Sequence, residues 1–284
     1  EKENQDTFLT LSRGGRVAAA VIDGHGRQGR KCVESLRSYV QQLLECRLRS
    51  APTGATALAE DLLRADTLLL LNHSLDARLC GATCAAVVLE AKDGQSRLAV
   101  AHVGDARVIL GRKSNDSINP GWQVTRLTKD HIVKDPAEAE RVIAAGGCIR
   151  CKPHVNGRGA TDIVGIGEPR LWSRCLDGCP GLAVSRALGD IIGQSCGVLA
   201  IPDTCSVTLK PEDVVIIASD GVFDVLSDSA ALQACLPHRR SMAAEQAASA
   251  VVQQASKAWA KFGKYRDDAT CVVLFTQDPS SKHG

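Results

Sequence analysis

Apolar runs bounded by aspartate are the feature that most constrains this chain of 284 residues. Three runs end in an aspartate and two begin after one: Asp23, Asp105 and Asp220 close residues 17–22, 98–104 and 214–219, and Asp6 and Asp267 precede residues 7–11 and 269–275. Short apolar runs that stop at turn-forming residues are typical of buried β-strands. If these strands pack together in sheets, the five carboxylates converge on one rim.

Carboxylates that converge in this way repel one another, so such a site must either protonate or bind cations. A ligand set made only of oxygens favours Mg²⁺ or Mn²⁺ over zinc. Two such ions about 3.5 to 4 Å apart can activate a water for attack on phosphorus. One Asp-Gly pair alone would be an ordinary turn, but the repeated pattern predicts a two-metal site for phosphoryl chemistry.

His25 lies two residues after Asp23, between Gly24 and Gly26. An imidazole titrates near neutral pH and can protonate a leaving oxygen beside the metals. We therefore predict that His25 is a general acid.

Apolar periodicity predicts a mixture of helices and antiparallel strands. The helical pattern covers residues 28–48, 53–79 and 137–145, and further helices open at Ser227 and Met242. The strand pattern covers residues 16–22, 82–89, 97–103, 108–110, 205–209, 214–218 and 269–275. Asp135 and Pro136 are favourable cap and first-turn residues for the helix over 137–145.

Residues 148–180 lose this periodicity and form a long irregular connection, which is typical of a flap or lid. Two close cysteine pairs in this segment, Cys148 with Cys151 and Cys175 with Cys179, leave zinc binding open as an alternative. The spacing matches a zinc ribbon only loosely, which favours free thiols in a packed loop.

Composition limits the kinds of partner and the cellular location that can be expected. The formal charge of +2 and the 3% aromatic content argue against nucleic acid, which needs basic surfaces or stacking platforms. No apolar run is long enough to span a bilayer. Twelve scattered cysteines fit a reducing compartment, and the charged first residues are unlike a secretory signal. We expect an intracellular monomer, cytoplasmic or nuclear, whose targeting segment is absent from this sequence.

An ordered set of motifs extends over nearly the whole chain. It comprises Asn4-Gln5-Asp6, Val21-Ile22-Asp23-Gly24-His25-Gly26, Gly81-Ala82-Thr83, Val103-Gly104-Asp105-Ala106-Arg107, Leu127-Thr128-Lys129-Asp130-His131, Ala144-Ala145-Gly146-Gly147, Leu182-Ala183-Val184-Ser185-Arg186-Ala187-Leu188-Gly189-Asp190, Ile201-Pro202-Asp203, Ala218-Ser219-Asp220-Gly221-Val222-Phe223-Asp224-Val225-Leu226 and Asp267-Asp268. In this order the motifs resemble the metal-dependent type 2C serine/threonine protein phosphatases.

The resemblance implies an α+β fold of four layers, an α-β-β-α sandwich with two antiparallel sheets flanked by antiparallel helix pairs. Residues 1–276 would form one catalytic domain, with the flap at 148–180 and a solvated tail at 277–284. The implied substrates are phosphoproteins. Arg186 and Asp190 are expected to be structural partners near the cleft.

The resemblance also implies a role for each site residue. Asp23 would bridge two Mg²⁺ or Mn²⁺ ions, and the Gly24 carbonyl would bind one of them. Asp220 and Asp267 would complete the ligand set of the first ion. Asp6 would act through bound waters. Asp105, together with Asp220, would line a third, weaker metal position.

Three of the departures from the family pattern concern the metal-bound waters or the substrate phosphate. Gln5 stands where many members have Glu, which alters a residue behind the metal-bound waters. Glu1 stands where a basic residue often holds the substrate phosphate, so Lys2 is the nearest substitute. Arg27 replaces a glycine after Gly26 and is a second candidate for an anionic substrate, although an exposed arginine without a specific role is the more common case.

Two alternatives to an active phosphatase stay open. The chain could be a pseudophosphatase or regulatory module that keeps the fold and binds phosphoprotein without turnover, as Gln5 and Glu1 allow. The flap could also be a docking surface stabilised by zinc through its four cysteines.

Overall fold

The computed structural model describes residues 3–50, 53–92, 95–114, 121–151, 168–173, 180–262 and 266–276. The strands in chain order are β1 (Asp6–Arg13), β2 (Arg16–Gly26), β3 (Cys80–Lys92), β4 (Gln95–Val103), β5 (Arg107–Ser114), β6 (Gly121–Arg126), β7 (Cys148–Cys151), β8 (Pro169–Trp172), β9 (Pro180–Leu182), β10 (Leu188–Gly189), β11 (Asp203–Leu209), β12 (Val214–Ala218) and β13 (Cys271–Phe275). The helices are α1 (Gly29–Ser50), α2 (Ala55–Leu70), α3 (Pro136–Ala144), α4 (Ile191–Gln194), α5 (Asp220–Phe223), α6 (Asp228–Arg239) and α7 (Ala244–Trp259), followed by a 3₁₀ turn at Ala260–Phe262.

Three antiparallel sheets organise these strands. The first has the order β1-β2-β3-β4-β11, with β10 paired to β3. The second has the order β13-β12-β5-β6, and the third, within the flap, has the order β7-β8-β9. Gly14 and Gly15 form the tight β1–β2 turn with φ values of 57° and 76°, a left-handed conformation that suits a two-residue hairpin loop.

Three apolar clusters hold the two larger sheets and their helices together. One cluster joins β2 and β3 to α1 and α2. Another joins β12 and β13 to α6 and α7. The third contains side chains from both sheets, including Val21 and Val87 of the first and Val215 and Ile217 of the second. Alternation along β2 explains this division, because Ala20 and Ile22 belong to the helix-facing cluster while Ala19 and Val21 belong to the one shared by the sheets.

Several boundaries differ from the sequence-based expectations. The segment Asp23 to Gly26 continues β2 instead of forming a loop, because each of its residues has a partner on β3, ending with Gly26 opposite Cys80. Helix α2 ends at Leu70 rather than near residue 79. Helix α7 begins at Ala244, just after Met242, which has a φ of 53°. Strand β6 was not predicted; its residues are mostly exposed, so its apolar pattern is weak.

Two helix starts agree with their sequence signals. The Asp135 side chain accepts hydrogen bonds from the backbone N–H groups of Ala137 and Glu138 at the start of α3. Ser227 likewise accepts from the Ala230 N–H at the start of α6. Both side chains satisfy N–H groups that a helix leaves unpaired at its first turn.

Of the helices in the described ranges, none has the length and apolar character that crossing a membrane requires.

Candidate active site

The five aspartates lie at the ends or edges of strands from both large sheets. Asp6 begins β1 directly opposite Asp23 of β2. Asp105 lies in the short turn between β4 and β5, and Asp220 follows β12 as the first residue of α5. Asp267 lies four residues before β13. The fold therefore brings together carboxylates that are far apart in sequence; Asp6 and Asp267 are separated by 261 positions.

Four of them, Asp23, Asp105, Asp220 and Asp267, line one cavity of about 240 Å³ together with His25. A larger cavity of about 480 Å³ adjoins it and shares Asp105, Asp220 and Asp267. The sequence placed these residues near one another, and the structure does bring them to a common cavity.

Burial and mutual repulsion act on these carboxyl groups. Burial, followed by the charges of Asp220, Asp6 and Asp105, raises the pKa of Asp23 well above its usual range. Burial raises the pKa of Asp220 to about 7, and the charges of Asp224, Asp267 and Asp6 act in the same direction. Such a cluster gains stability when positive charge enters it.

Asp6 stands behind the cavity rather than in its wall. It is 5% exposed, and its Oδ2 accepts a hydrogen bond of 2.7 Å from the Ser219 hydroxyl, next to Asp220. Its Oδ1 is buried without a hydrogen-bond partner among the described residues. A buried carboxylate oxygen without a partner is costly, and a water bound to a metal would supply the missing hydrogen bond.

These donors fit hard divalent cations. The carboxylate oxygens that line the cavity, and the unpartnered Asp6 oxygen behind it, suit Mg²⁺ or Mn²⁺. In the described ranges, no three His, Cys, Asp or Glu side chains are placed as the full ligand set of one ion. Mg²⁺ commonly binds through one or two carboxylates and keeps several waters, so it does not need a complete protein shell.

His25 contacts Asp190 at the edge of the same cavity. Its Nε2 lies 2.5 Å from Oδ2 of Asp190, whose side chain is 1% exposed. Burial alone would lower the pKa of His25, but the Asp190 carboxylate outweighs it and the net pKa is raised. Because the carboxylate accepts, Nε2 carries the hydrogen and Nδ1 remains the ring atom that can transfer a proton.

Asp190 was expected to be structural, and the structure gives it a direct contact with the candidate acid. Its backbone has a φ of 51°, an uncommon conformation for a residue with a side chain. Its amide donates to the Cys80 carbonyl at 3.0 Å, on the strand that pairs with β2. Arg186 instead pairs with Glu138 and Asp203 and does not line the cavity.

Gln5 braces the backbone around Gly24. The Gly24 N–H donates to the Gln5 carbonyl at 3.0 Å, and the Gln5 side-chain amide donates to the Gly26 carbonyl at 3.1 Å. A side chain at position 24 would meet Val33 at 2.5 Å. The substitution of Gln for Glu thus leaves a residue that fixes the backbone bearing the Gly24 carbonyl.

Arg27, one of the two candidates for binding the substrate phosphate, is exposed and does not line the cavity. The other candidate, Lys2, lies outside the described residues. Arg170 of β8 does line the cavity. No local pattern in the sequence points to Arg170, because β8 approaches the cavity only in the folded chain.

The geometry of β7 disfavours zinc at its cysteines. Cys148 and Cys151 are the first and last residues of this strand, three positions apart, so their side chains point to opposite faces and their Cα atoms are about 10 Å apart. Thiolates that share a zinc each lie about 2.3 Å from it. Cys175 and Cys179 lie outside the described residues.

His131 belongs to one of the sequence motifs but had no role assigned there, and the structure shows that it fixes the turn that carries Asp105. Its Nδ1 accepts the Gly104 N–H at 3.1 Å, so the hydrogen must be on Nε2, which lies 3.0 Å from Oδ2 of Asp203. The ring is 2% exposed and stacks on His102 with centroids 4.4 Å apart. Burial and the neighbouring His102 lower the pKa of His131 to about 4.

Because the pKa of His131 is lowered in the folded protein, we expect the fold to lose stability in mild acid. The pKa of the His131 ring is 6.5 in the unfolded chain and about 4 in the folded one. Between these two pH values the ring is protonated in the unfolded state but neutral in the folded state. The free energy of unfolding should therefore fall by about 2 kcal/mol between pH 7.5 and 5.0 through this group alone. Urea unfolding at both pH values should show a smaller fall for His131→Gln than for the parent chain. The exposed His73→Gln is the control, and an unchanged pH dependence in His131→Gln would contradict the assignment.

Comparison with known proteins identifies the family of this chain. The family model described as "Protein phosphatase 2C" matches residues 6–261. A rice protein named "Probable protein phosphatase 2C 48" is 32% identical, with 94% of this chain and 77% of the relative covered. A second, "Probable protein phosphatase 2C 64", also from rice, is 31% identical, with 99% of this chain and 64% of the relative covered.

Solved structures share the fold. The crystal structure of the serine-threonine phosphatase 2C from Toxoplasma gondii superposes with a TM-score of 0.76 at 23% identity, covering 97% of this chain and 91% of that one. The phosphatase MsPP from Mycobacterium smegmatis, crystallised with cacodylate, superposes with a TM-score of 0.59 at 20% identity, covering 98% and 94%. The family model and the rice relatives, which extend over nearly all of the chain, show that it belongs to the protein phosphatase 2C family of serine/threonine phosphatases.

Proposed function

We propose that this chain hydrolyses phosphoserine and phosphothreonine in proteins in a reaction that requires Mg²⁺ or Mn²⁺. One observation carries the proposal: Asp23, Asp105, Asp220 and Asp267 line one cavity with His25, whose ring is held by Asp190. In the proposed arrangement Asp23, the Gly24 carbonyl, Asp220 and Asp267 would hold the two ions, and Asp6 would act through their bound waters. Asp105, with Asp220, would hold a third, more weakly bound ion.

The bound ions would supply an activated water and stabilise charge on the phosphoryl oxygens. His25 has the complementary task of protonating the leaving serine or threonine oxygen from Nδ1. Asp190 holds Nε2–H, which orients the ring and stabilises its protonated form. Ser219 and Gln5 keep Asp6 and the Gly24 backbone in place.

We propose that residues 1–276 form one catalytic domain with the layer order α-β-β-α. This is supported by the two helix-facing clusters and by the third cluster, which contains residues of both sheets. Residues 277–284 lie outside the described part. The monomeric state and the cytoplasmic or nuclear location stay predictions.

The test is release of phosphate from a phosphothreonine peptide. We expect turnover with Mn²⁺ or Mg²⁺ and none with excess chelator. The alternative, a pseudophosphatase, predicts phosphopeptide binding in calorimetry without phosphate release. Absence of turnover over a range of peptides and metal concentrations would overturn the proposal.

A further inference from the structure

Arg170 is placed where a substrate phosphate would need a cation. The following inference rests on the proposed function, because it concerns how the same cavity holds its substrate. Among the described residues that line the smaller cavity, Arg170 is the only Lys or Arg, and the larger cavity shares it. A phosphorylated side chain that passes from the larger cavity to His25 would therefore meet this guanidinium.

The strand that bears Arg170 is firmly packed. The next residue, Leu171, is fully buried in the apolar cluster of the flap and α3, and it pairs with Leu182 of β9. The Arg170 Nη1 donates to the Gly181 carbonyl at 2.9 Å. Gly181 has a φ of 73°, and a side chain there would approach the Trp172 ring to 3.0 Å. The Gly181 carbonyl of β9 thus fixes the orientation of the Arg170 guanidinium.

Apart from the hydrogen bond to Gly181, the N–H donors of this guanidinium have no partner among the described residues. Among the described residues no carboxylate forms an ion pair with Arg170, whereas the neighbouring cations of the larger cavity are engaged. Arg107 pairs with Asp130 and with Asp228, the latter at 2.8 Å, and Lys134 pairs with Glu168. An arginine has five N–H donors and can bind two phosphate oxygens at once.

We propose that Arg170 binds the phosphate group of the phosphoserine or phosphothreonine substrate and so substitutes for the basic residue that position 1 lacks. The substrate phosphate is held between a flap strand and the aspartate cavity. The flap in this chain therefore contributes directly to substrate affinity.

A competing explanation is that Arg170 only balances the charge of the aspartates. The two explanations differ in what the loss of the guanidinium changes. A phosphate-binding residue sets the KM for phosphopeptide and the inhibition constant of inorganic phosphate. A residue that only balances the aspartates competes with cations, so its removal would tighten Mn²⁺ binding instead.

The experiment compares Arg170→Gln and Arg170→Lys with the parent chain in Mn²⁺. Arg150→Gln is the matched control, because Arg150 lies opposite Arg170 in the flap sheet but lines neither cavity. We expect Arg170→Gln to raise the KM for a phosphothreonine peptide and the inhibition constant of inorganic phosphate about 10- to 100-fold. Arg170→Lys should recover part of this, since lysine keeps the charge but not the fork. Mn²⁺ affinity in calorimetry should not change.

Unchanged KM and phosphate inhibition in Arg170→Gln, an equal effect in Arg150→Gln, or tighter Mn²⁺ binding in Arg170→Gln would each overturn the inference and leave the proposed function intact. If the parent chain releases no phosphate, the proposed function fails instead. In that case, calorimetry with inorganic phosphate decides about Arg170, and equal affinity in the parent chain and Arg170→Gln would refute it.

Discussion

Asp220→Asn should lower phosphate release from a phosphothreonine peptide by at least about 10³-fold, because it removes a carboxylate from the proposed metal ligands. In the absence of metal, the same substitution should stabilise the fold although it impairs catalysis. The Asp220 carboxylate repels Asp224, Asp267 and Asp6, so its neutralisation should raise the melting temperature in chelator by several degrees. Added Mn²⁺ should then stabilise the variant less than the parent chain.

Two measurements check this prediction: phosphate release, and thermal unfolding with and without Mn²⁺. Asp76→Asn is the matched control, because Asp76 is an exposed aspartate whose partner is Arg78, and such surface pairs contribute little. Turnover by Asp220→Asn at the parent rate would exclude the proposed ligand set. A lower melting temperature in chelator would show instead that Asp220 stabilises the metal-free fold.

Asp190→Asn should lower kcat for the phosphothreonine peptide by about 100-fold, with little change in KM. General acid catalysis accounts for roughly 10² to 10⁴ in rate, and the His25 ring loses the carboxylate that orients it and favours its protonated form. The loss should be much smaller for p-nitrophenyl phosphate, whose leaving group departs without needing a proton. Steady-state kinetics with both substrates measures the difference.

Asp66→Asn is the control that separates orientation of the His25 ring by Asp190 from support of the neighbouring backbone. Asp66 accepts the Gly189 N–H at 2.7 Å, next to Asp190, and an asparagine oxygen can accept the same bond. We expect its kcat to stay near that of the parent chain with either substrate. If Asp190→Asn lost the same factor on both substrates, a general disturbance of the site would explain the result better than loss of the oriented acid.

The strand and helix content was largely predictable, because it depends on local patterns. Alternation, helical spacing and caps such as Asp135 and Ser227 depend on a few neighbouring residues. The errors fall where tertiary contacts override these patterns. The Asp23 to Gly26 segment looks like a turn in isolation, but its pairing with β3 extends the strand through it.

For the site, the sequence determined which chemistry is available. Aspartates beside apolar runs, a histidine after Asp23 and a set of ordered motifs predicted both an oxygen-ligand metal site and the family, and the family is confirmed. The metal roles of the individual aspartates stay predictions. Asp190, His131 and Arg170 could not be assigned, since each acts on a partner distant in sequence: His25, Gly104 and the substrate cavity.

The sequence by itself therefore determined the kinds of residue that carry the chemistry, because residue type and local spacing are written along the chain. Only the tertiary structure decided which partner each of them meets. Asp190 reaches His25 across 165 residues of sequence, and Arg170 lines the same cavity as the aspartates because β8 borders it. Hydrogen bonds and ion contacts act over a few ångströms in space, so distance along the chain says little about them.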